Sequence, residues 1–181
     1  MDNLKTVNIV AVGLLEQEFD LNYLATSLTG NTRYEPEMHP GLYLYTDDGL
    51  AILYRTGKFI VTGSKSREGV NCSKENMISI LSEITQCSVN LQEFEICNYV
   101  LSGDLGMELE LSSISVGLGL ERTEYDPDSL AAVLYTPDQA DCTIMIFRSG
   151  KVNIVGESSK ARSKQAFREL HNKIRSLMDE K

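Results

Sequence analysis

The sequence predicts an α+β fold made of two copies of one unit, in which helices cover one face of an antiparallel sheet. The first observation is a repeated hairpin, because residues 51–63 read AILYRTGKFIVTG and residues 143–156 read TIMIFRSGKVNIVG. A short polar turn that contains glycine between two β-rich runs is typical of a β-hairpin. The second observation is that each predicted helix carries a single apolar stripe, so the helices have to cover the same face. The opposite face is expected to be free to bind a partner.

Constant spacing between motifs supports the duplication. Gly57 and Gly63 recur 93 residues later, the motif YEPE recurs 91 residues later as YDPD, and Asn8 recurs 90 residues later. Small loop insertions account for the drift of three residues in this spacing. We therefore interpret residues 6–92 and 95–178 as two direct repeats, which together form a single domain over residues 1–181.

The first repeat is predicted to contain a strand, a short helix, a run of antiparallel strands and a long helix. Asp20 is a candidate N-cap for the short helix, on which Leu21 and Leu24 begin an apolar stripe, and Gly30 is a candidate stop. The other predicted elements are a strand over residues 6–12, a polar strand or turn over 34–39, a strand over 42–45, a turn over 46–49, the hairpin, and a helix within 73–87.

The second repeat is predicted to follow the same order. A strand covers residues 94–101, and Leu111, Ile114 and Leu118 form the stripe of a helix that Gly119 could end. A strand over residues 133–135 and a turn over 137–141 precede the hairpin. The chain then closes with a long helix that buries Phe167, Leu170, Ile174 and Leu177.

The composition favours a soluble globular protein of the cytoplasm with no membrane partner. Hydrophobic residues make up 42% of the chain and charged residues 24%, which are ordinary values for that class. No apolar run has the length of a membrane helix, and the polar start MDNLKT does not resemble a signal peptide. The four cysteines form no CxxC pair, which is consistent with reduced thiols.

The charge is acidic overall but unevenly distributed. The net charge is −9, with 3 basic and 12 acidic residues over 91–159, but 7 basic and 3 acidic residues over 160–181. The overall balance by itself argues against a nucleic-acid partner. Local fields decide docking, however, so acidic groups away from a binding face leave it open. We expect the basic closing helix to be a solvated outer face, with an acidic protein partner as the alternative.

The sequence offers no basis for an enzyme, a cofactor or a metal site. His39 and His171 lie apart from other candidate catalytic groups. No glycine-rich phosphate loop, HExxH motif or GxSxG motif is present. We therefore expect a protein that works without chemistry of its own.

Several of these motifs together resemble the TATA-box-binding protein family, most closely its archaeal members. They are the doubled order of elements, YEPE with PGL at residues 40–42, the hairpin, and TGSKS at residues 62–66. The resemblance covers nearly the whole chain. It implies a saddle: a curved ten-stranded antiparallel sheet with four helices on its convex face. It further implies a transcription initiation factor that binds A/T-rich double-stranded promoter DNA in the minor groove and recruits transcription factor B.

The resemblance also implies which residues contact the base edges. The minor-groove edge of an A·T pair offers only acceptors, so the central residues have to be donors of modest size. The asparagines Asn8 and Asn98 match this role, and each is followed two residues later by a valine on the same side of its strand. The second repeat has an asparagine and a valine where the first has an isoleucine and a threonine, which we expect to alter base preference. The implied contacts are Asn8, Val10, Ile60 and Thr62 in one repeat and Asn98, Val100, Asn153 and Val155 in the other.

Four further positions match the family's apolar wedges, which separate base steps and bend the DNA. They are occupied by His39 and Tyr54 in the first repeat and by Leu130 and Phe147 in the second. Only Phe147 keeps the phenylalanine of the family, and Ala131-Ala132 replaces its Pro-Gly pair. We expect deeper kinking of DNA under the second repeat.

Charged residues at matching positions imply the remaining contacts. Asp126 and Asp128 match the acidic positions that meet transcription factor B. Free of DNA, the protein is a candidate homodimer. Residues placed to reach phosphates are Arg55, Lys58, Lys65, Arg148 and Lys151.

Two alternatives stay open. The altered wedges and the negative charge fit a paralogue with weakened DNA binding that acts as a protein-interaction module or transcription regulator. A ligand-sensing module that uses the free sheet face is the third hypothesis, and no residue pattern supports it.

Overall fold

The computed structural model describes residues 4–28 and 30–179, which form ten strands and four helices. The first half contains β1 (Lys5–Leu15), α1 (Leu21–Ser27), β2 (Thr32–Arg33), β3 (Leu42–Thr46), β4 (Gly49–Leu53), β5 (Lys58–Ser64) and α2 (Arg67–Thr85). The second half contains β6 (Leu91–Asp104), α3 (Leu111–Leu118), β7 (Thr123–Glu124), β8 (Ala132–Tyr135), β9 (Thr143–Phe147), β10 (Lys151–Glu157) and α4 (Lys160–Asp179). The predicted α+β class, with ten strands of antiparallel sheet and four helices, is confirmed. None of the described helices is long and apolar enough to cross a membrane.

The chain divides into two compact units, and the division falls within β1 and β6. The N-terminal unit comprises residues 8–97, and the C-terminal unit comprises residues 98–179 with residues 4–7. The hydrogen-bonded strand order is β2-β3-β4-β5-β1 in the first and β6-β10-β9-β8-β7 in the second. Each unit therefore repeats the same antiparallel arrangement.

In the N-terminal unit the helices cover one face of the sheet. Helix α2 packs on β3, β4 and β5, and α1 contacts α2. Along β5, Phe59 and Val61 are buried on the helix side, whereas the alternating residues Ile60 and Thr62 are half-buried on the other side. We call that other side the open face of the unit.

The C-terminal unit is built in the same way. Helix α4 packs on β10 and α3 packs on β8. Val152 and Ile154 of β10 are fully buried. The ring of Phe167 on α4 lies so close to Gly103 of β6 that an added Cβ would come within 3.0 Å of it. The helix side of β6 is thereby fixed, and its alternate residues lie on the open face of this unit.

Most predicted elements are confirmed, including two of the three helix ends for which a residue was named. The carboxylate of Asp20 accepts hydrogen bonds from the N–H groups of Asn22 and Tyr23, and Gly119 is the C-cap of α3. Helix α1, however, ends at Ser27 with Leu28 as its C-cap, before Gly30, the residue named as its stop.

Other boundaries were wrong. Helix α2 begins at Arg67 rather than at residue 73, because the hydroxyl of Ser66 caps it by accepting from the N–H of Gly69 at 3.0 Å. Of the two alternatives predicted for residues 34–39, the turn is confirmed, because Met38 and His39 both donate to the carbonyl of Glu35. Strand β6 extends three residues beyond its predicted range at each end.

Candidate nucleic-acid interface

A β-bulge in the N-terminal unit positions the first of the two asparagines. Ile9 pairs with Ser64 but Ala11 pairs with Val61, so β5 contains one extra residue. The bulge includes Gly63, whose φ of +88° is accessible to glycine at little cost. Its N–H takes no part in the hydrogen bonding between strands and donates instead to Oδ1 of Asn8 at 2.7 Å.

The same bulge occurs in the C-terminal unit. Leu101 pairs with Ile154 but Tyr99 pairs with Glu157, which again leaves one extra residue, here on β10. Gly156 has a φ of +99°, and its N–H donates to Oδ1 of Asn98 at 2.9 Å. The two asparagines are 90 residues apart in the sequence and the two bulge glycines are 93 apart. These spacings thus correspond to one hydrogen bond that occurs in both units.

This bond fixes what each asparagine offers to a ligand. A backbone N–H can only donate, so the amide oxygen has to face the glycine and the Nδ2 donor is directed away from it. In the N-terminal unit, Nδ2 of Asn8 donates to the hydroxyl of Thr62 at 3.0 Å. Val155 occupies the matching position in the C-terminal unit, and Nδ2 of Asn98 has no hydrogen-bond partner within the described part of the chain. In both asparagines the amide oxygen is therefore held by a glycine N–H, but the Nδ2 donor is engaged in Asn8 and unpaired in Asn98 within the described residues.

Beside each bulge, a row of four residues in register crosses the open face. Residues directly opposite each other on neighbouring antiparallel strands share one face of a sheet. The predicted contacts Ile60 and Asn153 lie in these rows. The other members were not predicted, although the register of the hairpins, combined with the alternation of side chains along each strand, could have identified them. All eight are half-buried or nearly so: Val12, Ile60, Ile52 and Tyr43 in the N-terminal unit, and Ser102, Asn153, Met145 and Leu134 in the C-terminal unit.

A groove of about 960 Å³ borders the N-terminal row. It is lined by residues of β1, β5 and β6, by the turn that follows β4, and by Pro40 before β3; Leu14, Tyr54 and Lys58 are among the lining residues. The open face of this unit therefore combines an apolar floor with a lysine at the tip of the hairpin.

The structure brings the two predicted wedge residues of the N-terminal unit together. The rings of His39 and Tyr54 lie 5.8 Å apart between centroids, and His39 also contacts Tyr43 at 5.2 Å. Nδ1 of His39 accepts from the N–H of Gly41 at 3.1 Å, which leaves Nε2 of the neutral ring as a donor. This pair forms a packed aromatic cluster.

In the C-terminal unit, Phe147 ends β9 and Leu130 lies just before the neighbouring strand β8. Phe147 pairs with Ala132, which follows Leu130 by two residues. The side chain of Leu130 is 36% exposed, and Phe147 is half-buried. Among the described residues, Phe147 has no aromatic ring contact.

The predicted phosphate contacts differ in their freedom. Arg55 forms an ion pair with Glu18, whose carboxylate lies 2.8 Å away, and the two side chains are 69% and 68% exposed. The other four cations are exposed and have no ion-pair partner within 4 Å over the described ranges: Lys58, Lys65, Arg148 and Lys151.

The two predicted acidic contacts also differ. Asp126 accepts hydrogen bonds from the hydroxyl of Ser129 at 2.6 Å and from the N–H of Asp128 at 3.1 Å. These bonds, chiefly the one from Ser129, hold the pKa of Asp126 below its ordinary value. Asp128 is exposed, and its carboxylate has no such bond in the described structure. Asp126 therefore shapes the turn, and Asp128 is available to a partner.

Similarities to known proteins cover nearly the whole chain. The family described as "Transcription factor TFIID (or TATA-binding protein, TBP)" matches it twice, over residues 3–84 and 93–177. A TATA-box-binding protein of Archaeoglobus fulgidus is 32% identical over 96% of both chains. TATA-box-binding protein E of Halobacterium salinarum is 32% identical over 97% of this chain and 95% of its own. Among solved structures, Methanococcus jannaschii TBP matches with a TM-score of 0.77 and 31% identity, covering 96% of this chain and 99% of that one.

Proposed function

This chain belongs to the TATA-box-binding protein family of transcription initiation factors, and we propose that it binds A/T-rich promoter DNA in the minor groove and recruits transcription factor B. We further propose that its two repeats act in the cytoplasm as one domain, without chemistry of their own.

The observation that carries DNA binding is the repeated bond between an asparagine and the glycine of a bulge. Oδ1 of Asn8 and of Asn98 is occupied by a backbone N–H in each unit. Each side chain therefore directs its Nδ2 donor away from the glycine, and the minor-groove edges of A·T pairs offer only acceptors, adenine N3 and thymine O2. The same oxygen-to-glycine bond recurs in both units, and in the C-terminal unit the Nδ2 donor of Asn98 is left without a partner among the described residues.

The wedge residues support unequal bending by the two units. Phe147 and Leu130 are apolar, and neither is held in an aromatic cluster of the described residues. His39 packs on Tyr54 and on Tyr43, so insertion of His39 or Tyr54 would break ring contacts. Separating a base step requires a few kcal/mol of compensating contact. We propose the deeper kink under the C-terminal unit.

The cations support a moderate electrostatic contribution. Lys58, Lys65, Arg148 and Lys151 are free to meet phosphates, whereas Arg55 first has to leave Glu18. Affinity should fall with salt with a slope of about 0.9 for each phosphate contact. The acidic net charge of −9 makes low salt the condition under which binding is sought.

For transcription factor B we propose a contact through Asp128. Its carboxylate is exposed, whereas that of Asp126 already accepts two hydrogen bonds within its own turn. Free of DNA, the apolar open face of the N-terminal unit would also be exposed to a second copy of the chain. We propose a homodimer in that state, which sedimentation over a range of concentrations with and without duplex would reveal.

Binding and bending can be tested together on A/T-rich duplexes that carry a fluorophore at each end. We expect a shifted band in gels at low salt and a shorter distance between the ends. Phe147→Ala should reduce bending more than Tyr54→Ala does. No shifted band at low salt would defeat the proposal.

A second candidate is a paralogue that uses the same surface for protein interaction after losing DNA affinity. The ion pair of Arg55 with Glu18 and the packed His39–Tyr54 pair favour it, since both occupy groups that DNA binding would use. A pull-down with transcription factor B separates the two candidates. Capture that requires promoter DNA supports the first, and capture that is unaffected by DNA supports the second.

A further inference from the structure

We infer that the two units demand different base pairs. The C-terminal unit accepts a G·C pair against Ser102 and Asn153, whereas the N-terminal unit requires an A·T pair against Val12 and Ile60. This inference rests on the proposed binding in the minor groove and specifies the class of DNA sequence that is bound.

The four residues occupy matching places in the two units. Val12 pairs with Ile60 across β1 and β5, and Ser102 pairs with Asn153 across β6 and β10. All four are half-buried on the open face, one step from the bulge of their unit. The amide of Asn153 and the hydroxyl of Ser102 have no hydrogen-bond partner among the residues that the structure describes. A half-buried polar pair without partners thus replaces an apolar pair.

The chemistry of the groove gives this replacement a consequence. A G·C pair differs from an A·T pair in the minor groove by the N2 amino group of guanine, a donor. Against two aliphatic side chains that donor would be buried without an acceptor, which weakens binding. Against Asn153 and Ser102 it meets an amide oxygen and a hydroxyl oxygen, each able to accept. The amide can equally donate to adenine N3 or thymine O2, so an A·T pair is also accepted.

Asn153 differs from the central asparagines in this respect. The oxygens of Asn8 and Asn98 are held by glycine N–H groups, so those side chains direct their Nδ2 donors away from the glycine and favour A·T pairs. Neither the oxygen nor the nitrogen of Asn153 is held by another described residue. Tolerance of G·C is therefore expected for the base pair that meets the row beside the bulge of the C-terminal unit, and not for the one that meets the row of the N-terminal unit.

A palindromic A·T duplex provides the test, because the protein can bind it in either orientation. With one G·C pair at a position one step from the centre, the wild-type affinity should stay within about twofold of that for the A·T parent. The protein can still bind in the orientation that places its C-terminal unit on the half with the G·C pair. Two G·C pairs at the symmetric positions should weaken binding about 5- to 150-fold, because one of them must then meet Val12 and Ile60. Scanning the pair outward from the centre locates the position.

Two matched variants assign the effect to the row. Asn153→Ile copies the N-terminal unit, so even the single G·C pair should weaken its binding about 5- to 150-fold. Ile60→Asn copies the C-terminal unit and should restore binding to the duplex with two G·C pairs. Inosine in place of guanine removes only the N2 amino group and should rescue Asn153→Ile on the single-pair duplex. Thermal melts of each variant show that it is folded.

The outcomes distinguish the inference from the proposed function. The inference alone is overturned if the wild type binds the A·T parent tightly and loses the same affinity wherever a single G·C pair is placed. An Asn153→Ile variant whose profile matches that of the wild type overturns it as well. No binding of the parent at low salt overturns the proposed function, and the inference with it.

Discussion

Replacing Asn98 by aspartate separates the structural role of this side chain from its proposed role in binding DNA. Aspartate has nearly the same shape and keeps an oxygen for the N–H of Gly156, which lies 2.9 Å from Oδ1 in the wild type. The bulge therefore keeps its partner. Both hydrogens of Nδ2 are lost, however, and a negative charge replaces them opposite the acceptors of the groove.

The expected effects on binding and on stability differ widely. An interface acceptor left without its donor costs about 1–3 kcal/mol, and the added charge raises this figure. Since about 1.4 kcal/mol corresponds to a factor of ten, affinity should fall at least 5- to 150-fold. Stability should change by less than about 1 kcal/mol, because a carboxylate accepts a backbone N–H at least as well as an amide does.

Fluorescence anisotropy on one A·T duplex at one salt concentration measures the first effect, and thermal melts measure the second. Asn98→Ala is the matched control, because it removes the oxygen as well and should lower stability by about 1–3 kcal/mol. If Asn98→Asp binds DNA within about twofold of the wild type, a difference under 1 kcal/mol, the side chain serves the bulge alone and the reasoning is refuted.

Three further predictions concern the fold and the charges around the interface. Alanine at Gly63 or Gly156 should cost about 1–2 kcal/mol of stability because of the positive φ. Gly156→Ala should be the more severe, since its Cβ would lie 3.2 Å from a carbonyl oxygen. Denaturant midpoints equal to that of the wild type would contradict this prediction. Glu18→Gln should release Arg55 and steepen the salt dependence of DNA binding by about 0.9 in slope, whereas an unchanged slope would show that Arg55 meets no phosphate. Hydrogen bonds from Ser113 and Ser112 at the start of α3 lower the pKa of Glu110 from 4.5 to about 2. The charge of Glu110 therefore stabilises the fold above pH 4.5, and this contribution disappears as pH falls towards 2. The Glu110→Gln variant should melt at a lower temperature than the wild type at neutral pH and at the same temperature near pH 2, and a difference that does not depend on pH would argue against this prediction.

The parts of the fold that depend on local sequence could be predicted. Two glycines and an asparagine at constant spacing identified the duplication, and the Asp20 cap and the stripe of α3 were read from neighbouring residues. The start of α2 was missed because Gly69 and polar residues in its first turns hide the apolar period. Capping by Ser66 decides that boundary instead.

The candidate site was predictable only where residue type alone carries the information. Asn8 and Asn98 were selected for their donors, but the bonds that orient them join residues 55 and 58 positions apart in the chain. The pairing of Arg55 with Glu18 likewise depends on how the chain folds back. The rows across the open face require the register of the bulged strands, because one extra residue changes which side chains share a face. Such long-range facts are not visible in local sequence.

We propose that this chain contacts A·T pairs through their minor-groove edges, and one measurement tests that contact directly. The direct measurement is the affinity for a duplex in which every A·T pair of the bound element is replaced by inosine·cytosine. This replacement keeps acceptors alone in the minor groove and gives the major groove the pattern of a G·C pair. We predict binding within about threefold of the A·T duplex, a difference under about 1 kcal/mol. Loss of binding to the inosine duplex, with tight binding of the A·T duplex, would contradict the account.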